Sequence, residues 1–235
     1  MVISVGDINL DGQVVLAPMS GVTDLAFRRS VEACGAAMVV SEMVASEELA
    51  RGRRDVLLRA EGRGLSPFTL QLAGRETQWM AQGARSATEA GADIIDINMG
   101  CPSRQVTGGL SGSALMRNEA HATELIGATL AATPRPVTLK MRLGWDNNCL
   151  NAPNLARIAE DLGVAMITVH GRTRCQFYKG SADWRAIRAV VEAVRVPIIA
   201  NGDIVDGSSA RMALKHSSAA GIMVGRAAVG RPWLL

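Results

Sequence analysis

Cys101 is the residue whose type and setting most invite chemistry. It ends the run Ile94-Ile95-Asp96-Ile97-Asn98-Met99-Gly100-Cys101-Pro102, an apolar stretch that delivers an amide and a thiol together. Gly100 lets the backbone turn with no side chain in the way, and Pro102 fixes φ directly after the cysteine, so the thiol is rigidly mounted. The competing reading is a buried, inert cysteine at a strand end, because cysteine is among the most buried residue types.

A second group is cationic. Lys140 and Arg142 lie two apart in Val137-Thr138-Leu139-Lys140-Met141-Arg142, which puts both side chains on one side of a strand. Cations sharing a face repel each other and lose hydration, and they persist where an anion or an electron-rich ring lies between them. The alternative is that each pairs with a carboxylate such as Glu42 or Asp96. His170-Gly171-Arg172-Thr173-Arg174 adds a titratable ring and two more cations, with Lys179 close behind. Asn201-Gly202-Asp203 and Gly225-Arg226 complete the set. Glycines there would let backbone N–H groups approach phosphate oxygens, and an arginine would clamp them.

These groups recur at the ends of short β-rich runs, and the runs imply the elements that position them. Eight are legible: Val14 to Met19, Met38 to Met43, Pro67 to Leu72, Ile94 to Asn98, Val137 to Arg142, Met166 to His170, Ile198 to Asn201 and Gly221 to Val224. Stretches of helical period separate them, such as Leu155, Ile158, Ala159, Leu162 and Ile187, Val190, Val191, Val194. Thr23 or Asp24, Asp183 and Asp206 stand where helices should start, and Gly35, Gly91 and Gly163 where they should stop. Eight alternations predict an α/β protein with a (β/α)8 TIM barrel, and no Gly-x-Gly-x-x-Gly follows the first strand to support a Rossmann fold. In such a barrel the chemistry lies at the C-terminal strand ends, and the loops after strands seven and eight form the usual phosphate site. Flavin mononucleotide suits that arrangement. Lys140 would stabilise negative charge on the reduced ring, Gln71 would hydrogen-bond its edge, and Met19 would pack on a face.

From Val2 to Gln13 the text alternates, and Asp11-Gly12 is a hairpin turn signal, so a short N-terminal hairpin capping the barrel is expected. Only Arg226 to Leu235 follow the eighth strand. The expectation is therefore a truncated eighth helix, with Val14, Leu16, Ile222 and Val224 left as uncovered apolar surface, and a chain that is marginal alone.

At 235 residues and 48% apolar content the chain is one domain, 1–235, by expectation. The net charge of +3 is mild and does not by itself indicate a nucleic-acid partner. Cys34, Cys101, Cys149 and Cys175 are widely spaced, which suggests neither a metal site nor a disulfide scaffold and fits a cytoplasmic location. No apolar run approaches the roughly 20 residues of a membrane span, so no membrane partner is expected.

Taken in order, Leu16-Ala17-Pro18-Met19, Asn98-Met99-Gly100-Cys101-Pro102, Lys140-Met141-Arg142, His170-Gly171-Arg172-Thr173-Arg174, Tyr178-Lys179-Gly180, Asn201-Gly202-Asp203-Ile204 and Gly225-Arg226-Ala227 closely resemble the tRNA-dihydrouridine synthases of the bacterial B type. The resemblance implies reduction of uridine in tRNA to 5,6-dihydrouridine with FMN, itself reduced by NADPH. It implies FMN held by Pro18, Met19, Ser20, Gln71, Lys140, His170, Asn201, Gly202, Asp203, Gly225 and Arg226, with Cys101 as the proton donor. Asn98 would orient the base, and Arg142, Arg172, Arg174 and Lys179 would meet its carbonyls or nearby phosphates. Members of the family carry a helical tRNA-binding domain after the barrel, which is expected to be absent here. Two other readings use the same scaffold. One is an FMN-dependent reductase of a free pyrimidine or small enone, against which Arg104, Arg172, Arg174 and Lys179 argue, since a small neutral base needs no ring of cations. The other is a catalytically silent binding protein, against which the intact Cys101, Lys140 and His170 argue.

Overall fold

The structure, a computed structural model, describes residues 2–235. Two short strands, β1 (Ile3–Val5) and β2 (Ile8–Leu10), form an antiparallel hairpin. Nine strands follow: β3 (Val14–Leu16), β4 (Met38–Val40), β5 (Val44–Ala45), β6 (Phe68–Ala73), β7 (Ile94–Met99), β8 (Val137–Arg142), β9 (Met166–His170), β10 (Ile198–Asn201) and β11 (Gly221–Val224). All their pairings are parallel. β11 returns to β3, β4 pairs with β6, and β5 only extends the edge of β6, so eight strands close into the expected TIM barrel.

Helices α1 (Leu25–Ala33), α2 (Ser46–Ala50), α3 (Arg54–Arg59), α4 (Thr77–Glu89), α5 (Arg104–Gly108), α6 (Glu119–Leu130), α7 (Ala152–Leu162), α8 (Trp184–Val191) and α9 (Gly207–Ser217) fill the connections. Three start at the aspartates read as caps. Asp24 accepts Phe27 N at 2.8 Å, Asp183 accepts Ala186 N at 3.0 Å, and Asp206 accepts Ser209 N at 2.7 Å, each bond contributing about 1 kcal/mol. Gly163 ends α7 in the left-handed region, at φ +108°. α6 carries no clear stripe in the sequence, because small residues surround its buried Ala122, Leu125 and Ile126.

The core has two parts. Outward-facing strand residues such as Leu70, Leu72, Ile95, Ile97, Leu139, Met141 and Val169 pack under the helices. A separate cluster joins Val15, Met38, Val40, Ile94, Met166, Ile199 and Met223 to Ile3, Val5 and Leu10 of the hairpin. The hairpin therefore plugs the N-terminal end of the barrel with apolar side chains. Its turn is not at Asp11-Gly12 as the dipeptide suggests. Val5 pairs with Ile8, so the turn is Gly6-Asp7, with Gly6 at φ +61° in the position that needs glycine. Asp11-Gly12 instead links the hairpin to β3.

After β11 come two 3-10 turns, Arg226–Ala228 and Pro232–Leu234, the second packed against α1. The expected uncovered seam is corrected by this segment: Leu16, Ile222 and Val224 are buried and Val14 is half-buried, in one cluster with Ala228, Leu234 and Leu235. Val31 of α1 and Ala213 of α9 belong to the same cluster. Among the described residues no helix is long and apolar enough to cross a membrane.

Candidate active site

The alternation that buries Ile95, Ile97 and Met99 under the helices turns Asp96 and Asn98 of the same strand into the barrel. Thr138, Lys140 and Arg142 do the same on β8, Thr168 and His170 on β9, and Asn201 on β10. The C-terminal half of the interior is thus polar where the N-terminal half is apolar. Buried polar groups are costly without partners, and here they find one another.

Lys140 Nζ donates to Asn201 Oδ1 at 3.2 Å, and Asn201 Nδ2 donates to the Met223 carbonyl at 2.8 Å, which fixes the amide. Burial, and then the neighbouring Arg142, push the lysine down to about 8. His170 is held well below its ordinary range by burial and by Lys140, Arg142, Arg172 and Arg226, so the ring is neutral. Arg172 Nη1 lies 3.3 Å from His170 Nε2. A guanidinium only donates, so Nε2 keeps its lone pair and the proton sits on Nδ1. Neither Lys140 nor Arg142 forms an ion pair with Glu42 or Asp96 among the described residues; Glu42 instead accepts Gly21 N at 2.8 Å.

A cavity of about 370 Å³ opens beside these groups, within the size range of small-ligand sites. Of the residues expected to hold a cofactor, Pro18, Met19, Lys140, His170, Asn201, Gly202, Asp203, Gly225 and Arg226 line it. Ser20 and Gln71 do not. Ser20 is exposed on the β3–α1 turn, and Gln71 is sealed inside the barrel with its amide bonded to Asp96 and Asn98. Gly202 has to be glycine, since at φ +112° a Cβ would lie 2.8 Å from Ala182 Cβ and 3.0 Å from His170 Nε2. A Cβ on Gly225 would project between Ala17 and Met19. Tyr178, the chain's one tyrosine, lines the cavity with the Arg226 guanidinium 4.8 Å from its ring centre. It carried no role in the sequence reading beyond its place in the Tyr178-Lys179-Gly180 motif.

Cys101 is half-buried on the adjoining loop, near enough to raise both Lys140 and Arg142 electrostatically. Asn98 Oδ1 accepts the N–H groups of Cys101 (2.9 Å) and Gly100 (3.2 Å), and Ser113 Oγ donates to the Cys101 carbonyl at 2.8 Å. The thiol therefore stands on a turn pinned from both sides, as Gly100 and Pro102 suggest.

The residues expected to meet a substrate are placed unevenly. Arg142 is 1% exposed and donates to the carbonyls of Gly100, Thr173 and Phe177 at 2.8–2.9 Å; burial pushes it down to about 10. Arg172 is 2% exposed and donates to Lys179 O, Gly180 O and Asp203 Oδ2. Asn98 has both ends of its amide engaged. For these three, strand or loop burial directs polar atoms at the protein's own groups: backbone carbonyls for Arg142, backbone and the Asp203 carboxylate for Arg172, and backbone N–H groups and the Gln71 side chain for Asn98. Arg174 is half-buried, donating to Thr107 Oγ1 at 3.1 Å beside the Trp145 ring, over which Arg117 also lies. Lys179 and Arg104 are exposed. Among the described residues Arg104, Arg117, Arg174 and Lys179 have no carboxylate partner, so the mouth keeps free positive charge.

Residues 15–235 match the family model described as Dihydrouridine synthase (Dus). The chain is 58% identical over 238 residues to a probable tRNA-dihydrouridine synthase of Rhodobacter capsulatus, covering 100% of this chain and 73% of that protein. It is 45% identical to tRNA-dihydrouridine synthase B of Pseudomonas putida, covering 99% of this chain and 69% of that one. Among solved structures, morphinone reductase in complex with tetrahydroNAD superimposes with a TM-score of 0.68 at 15% identity, over 100% of this chain and 88% of that one, a likeness of fold.

Proposed function

The chain belongs to the dihydrouridine synthase family, and on that premise we propose that it reduces the C5–C6 double bond of uridine in tRNA, holding FMN at the barrel mouth and drawing electrons from NADPH. One observation carries the reading. Nine side chains or glycines expected to hold a flavin nucleotide line one cavity, and Cys101 stands on the next loop.

The donor set suits an anionic ligand. Lys140 spends one N–H on Asn201, Arg226 has no carboxylate partner among the described residues, and the one carboxylate in the lining, Asp203, is neutralised by Arg172. The cradle at Gly202 and Gly225, which a Cβ would fill, leaves backbone open to phosphate oxygens. Bound FMN would supply a hydride to uracil C6.

The chain's own groups do the rest. Lys140 and the neutral His170 line the cavity, and Lys140 would offset negative charge as it builds on a bound flavin. Cys101 gives its proton to C5 as the charge left by the hydride spreads over C5 and the C4 carbonyl. Asn98, Arg142 and Arg172 hold the turns that carry these groups. Arg104, Arg117, Arg174 and Lys179 attract the phosphates of a polynucleotide, whose uridine must turn out of its stack to reach the thiol. Titrating well-folded protein with FMN tests the cofactor: quenched flavin fluorescence is expected, and no change in absorbance or fluorescence would exclude it.

A further inference from the structure

Asp96 does not line the cavity, and it makes no hydrogen bond to Cys101. It lies inside the barrel, 5% exposed, with Oδ1 accepting Thr138 Oγ1 at 2.5 Å and Oδ2 accepting Gln71 Nε2 at 2.6 Å. Gln71 Oε1 then accepts Asn98 Nδ2 at 2.7 Å, and Asn98 Oδ1 accepts the N–H groups of Cys101 and Gly100. The row has a direction. At one end the backbone N–H groups can only donate; at the other, burial pushes the Asp96 carboxyl up while the bonds from Gln71 and Thr138 and the nearby Lys140 favour its ionised form, which only accepts. Two amides between such ends satisfy both in one orientation alone.

We propose that Asp96 is a positioning residue for Cys101: its carboxylate orients Gln71, Gln71 orients Asn98, and Asn98 thereby presents oxygen to the turn that carries the thiol. Turned over, Asn98 would set its NH2 against two backbone donors and leave both without an acceptor. The turn would then open. That this matters to catalysis rests on Cys101 as the proton donor, but the row itself does not.

Polarity supplies the test. Asn98→Asp keeps the acceptor for the turn but sets an oxygen against Gln71 Oε1. Gln71 relieves this by turning over, which sets its oxygen against Asp96. Adding Asp96→Asn resolves the conflict: the new amide at position 96 keeps an acceptor for Thr138 and donates to Gln71, which in turn donates to the new carboxylate at position 98. Alkylation of Cys101 by iodoacetamide, resolved by peptide mass spectrometry because the chain has four cysteines, reports the turn without any catalytic step. In Asn98→Asp the rate should change about tenfold, the scale of one lost buried hydrogen bond, and in the double variant it should return to within about twofold of the parent. A double variant no closer to the parent than Asn98→Asp overturns the proposal. Should Asn98→Asp fail to fold, Gln71→Met removes the link without adding charge. It should shift the alkylation rate by itself, and Asp96→Asn should then add nothing; an effect of Asp96→Asn equal with and without Gln71 also overturns it. If Cys101→Ala left dihydrouridine formation intact, the acid assignment would fail while this row stood.

Discussion

The Arg172 guanidinium donates to the Asp203 carboxylate at 2.6 Å, and the bond joins the loop after β9 to the loop after β10. The same guanidinium holds the Lys179 and Gly180 carbonyls, and Asp203 also takes the Ala182 N–H at 2.7 Å. Two strand ends that share a cavity are thus fixed by one buried side chain.

Arg172→Lys should loosen both loops, because an ammonium cannot reproduce a planar fork with three acceptors. Asp203 is 31% exposed, so water recovers part of the loss, and about 1–3 kcal/mol of stability should go with the orphaned carbonyls. FMN titration should show weaker binding alongside the lowered melting temperature. Unchanged affinity would mean that the loops hold their shape without this bond.

Lys140 is held at about 8 against an ordinary 10.5, chiefly by burial. Below pH 8 the folded and unfolded chains both carry the proton, and the folded one bears the cost of a buried cation. Between about pH 8 and 10.5 only the unfolded chain is protonated, so the contribution of this residue to stability rises with pH there. Flavin-free Lys140→Met should be more stable than its parent at pH 7, by on the order of 3 kcal/mol, and the gain should vanish near pH 10.5. Urea unfolding at the two pH values checks this. FMN affinity should fall in the parent as pH passes about 8 and stay weak and flat in the variant.

Leu16, the last residue of the first barrel strand, is fully buried in the cluster beneath the helices. Leu16→Ala should cost about 2–5 kcal/mol, the range for a large-to-small change in a packed core. A cost below about 0.5 kcal/mol, the surface value, would contradict the burial of the seam.

The barrel was legible because each strand run is short, apolar and bounded by turn or cap residues; β8, β9, β10 and β11 coincide with their expected runs. The hairpin was legible and its turn was not, since Asp11-Gly12 and Gly6-Asp7 both carry turn chemistry and only pairing across the strands decides between them. The place of Lys140, His170, Asn201 and Arg226 at the cavity was legible because a polar residue at a strand end stands out against the apolar text before it. The burial of Arg142 and Arg172 and their bonds to backbone carbonyls could not be read. Charge and spacing are the same for an arginine aimed at a ligand and one aimed at a carbonyl, and only burial tells them apart. Tyr178 was hidden for a similar reason, its place at the cavity coming from a loop that folds back over Arg226.

The central claim is that Cys101 protonates a uridine of tRNA reduced at this site. Reduced holo-protein mixed anaerobically with tRNA lacking dihydrouridine, followed by nuclease digestion and mass spectrometry of the nucleosides, measures it in a single turnover. Dihydrouridine should form with the parent protein and fall by about 10²-fold or more in Cys101→Ala, the scale of a lost general acid, while flavin reduction by NADPH stays nearly intact. No dihydrouridine from the parent protein, or equal loss of both half-reactions in the variant, would contradict the account.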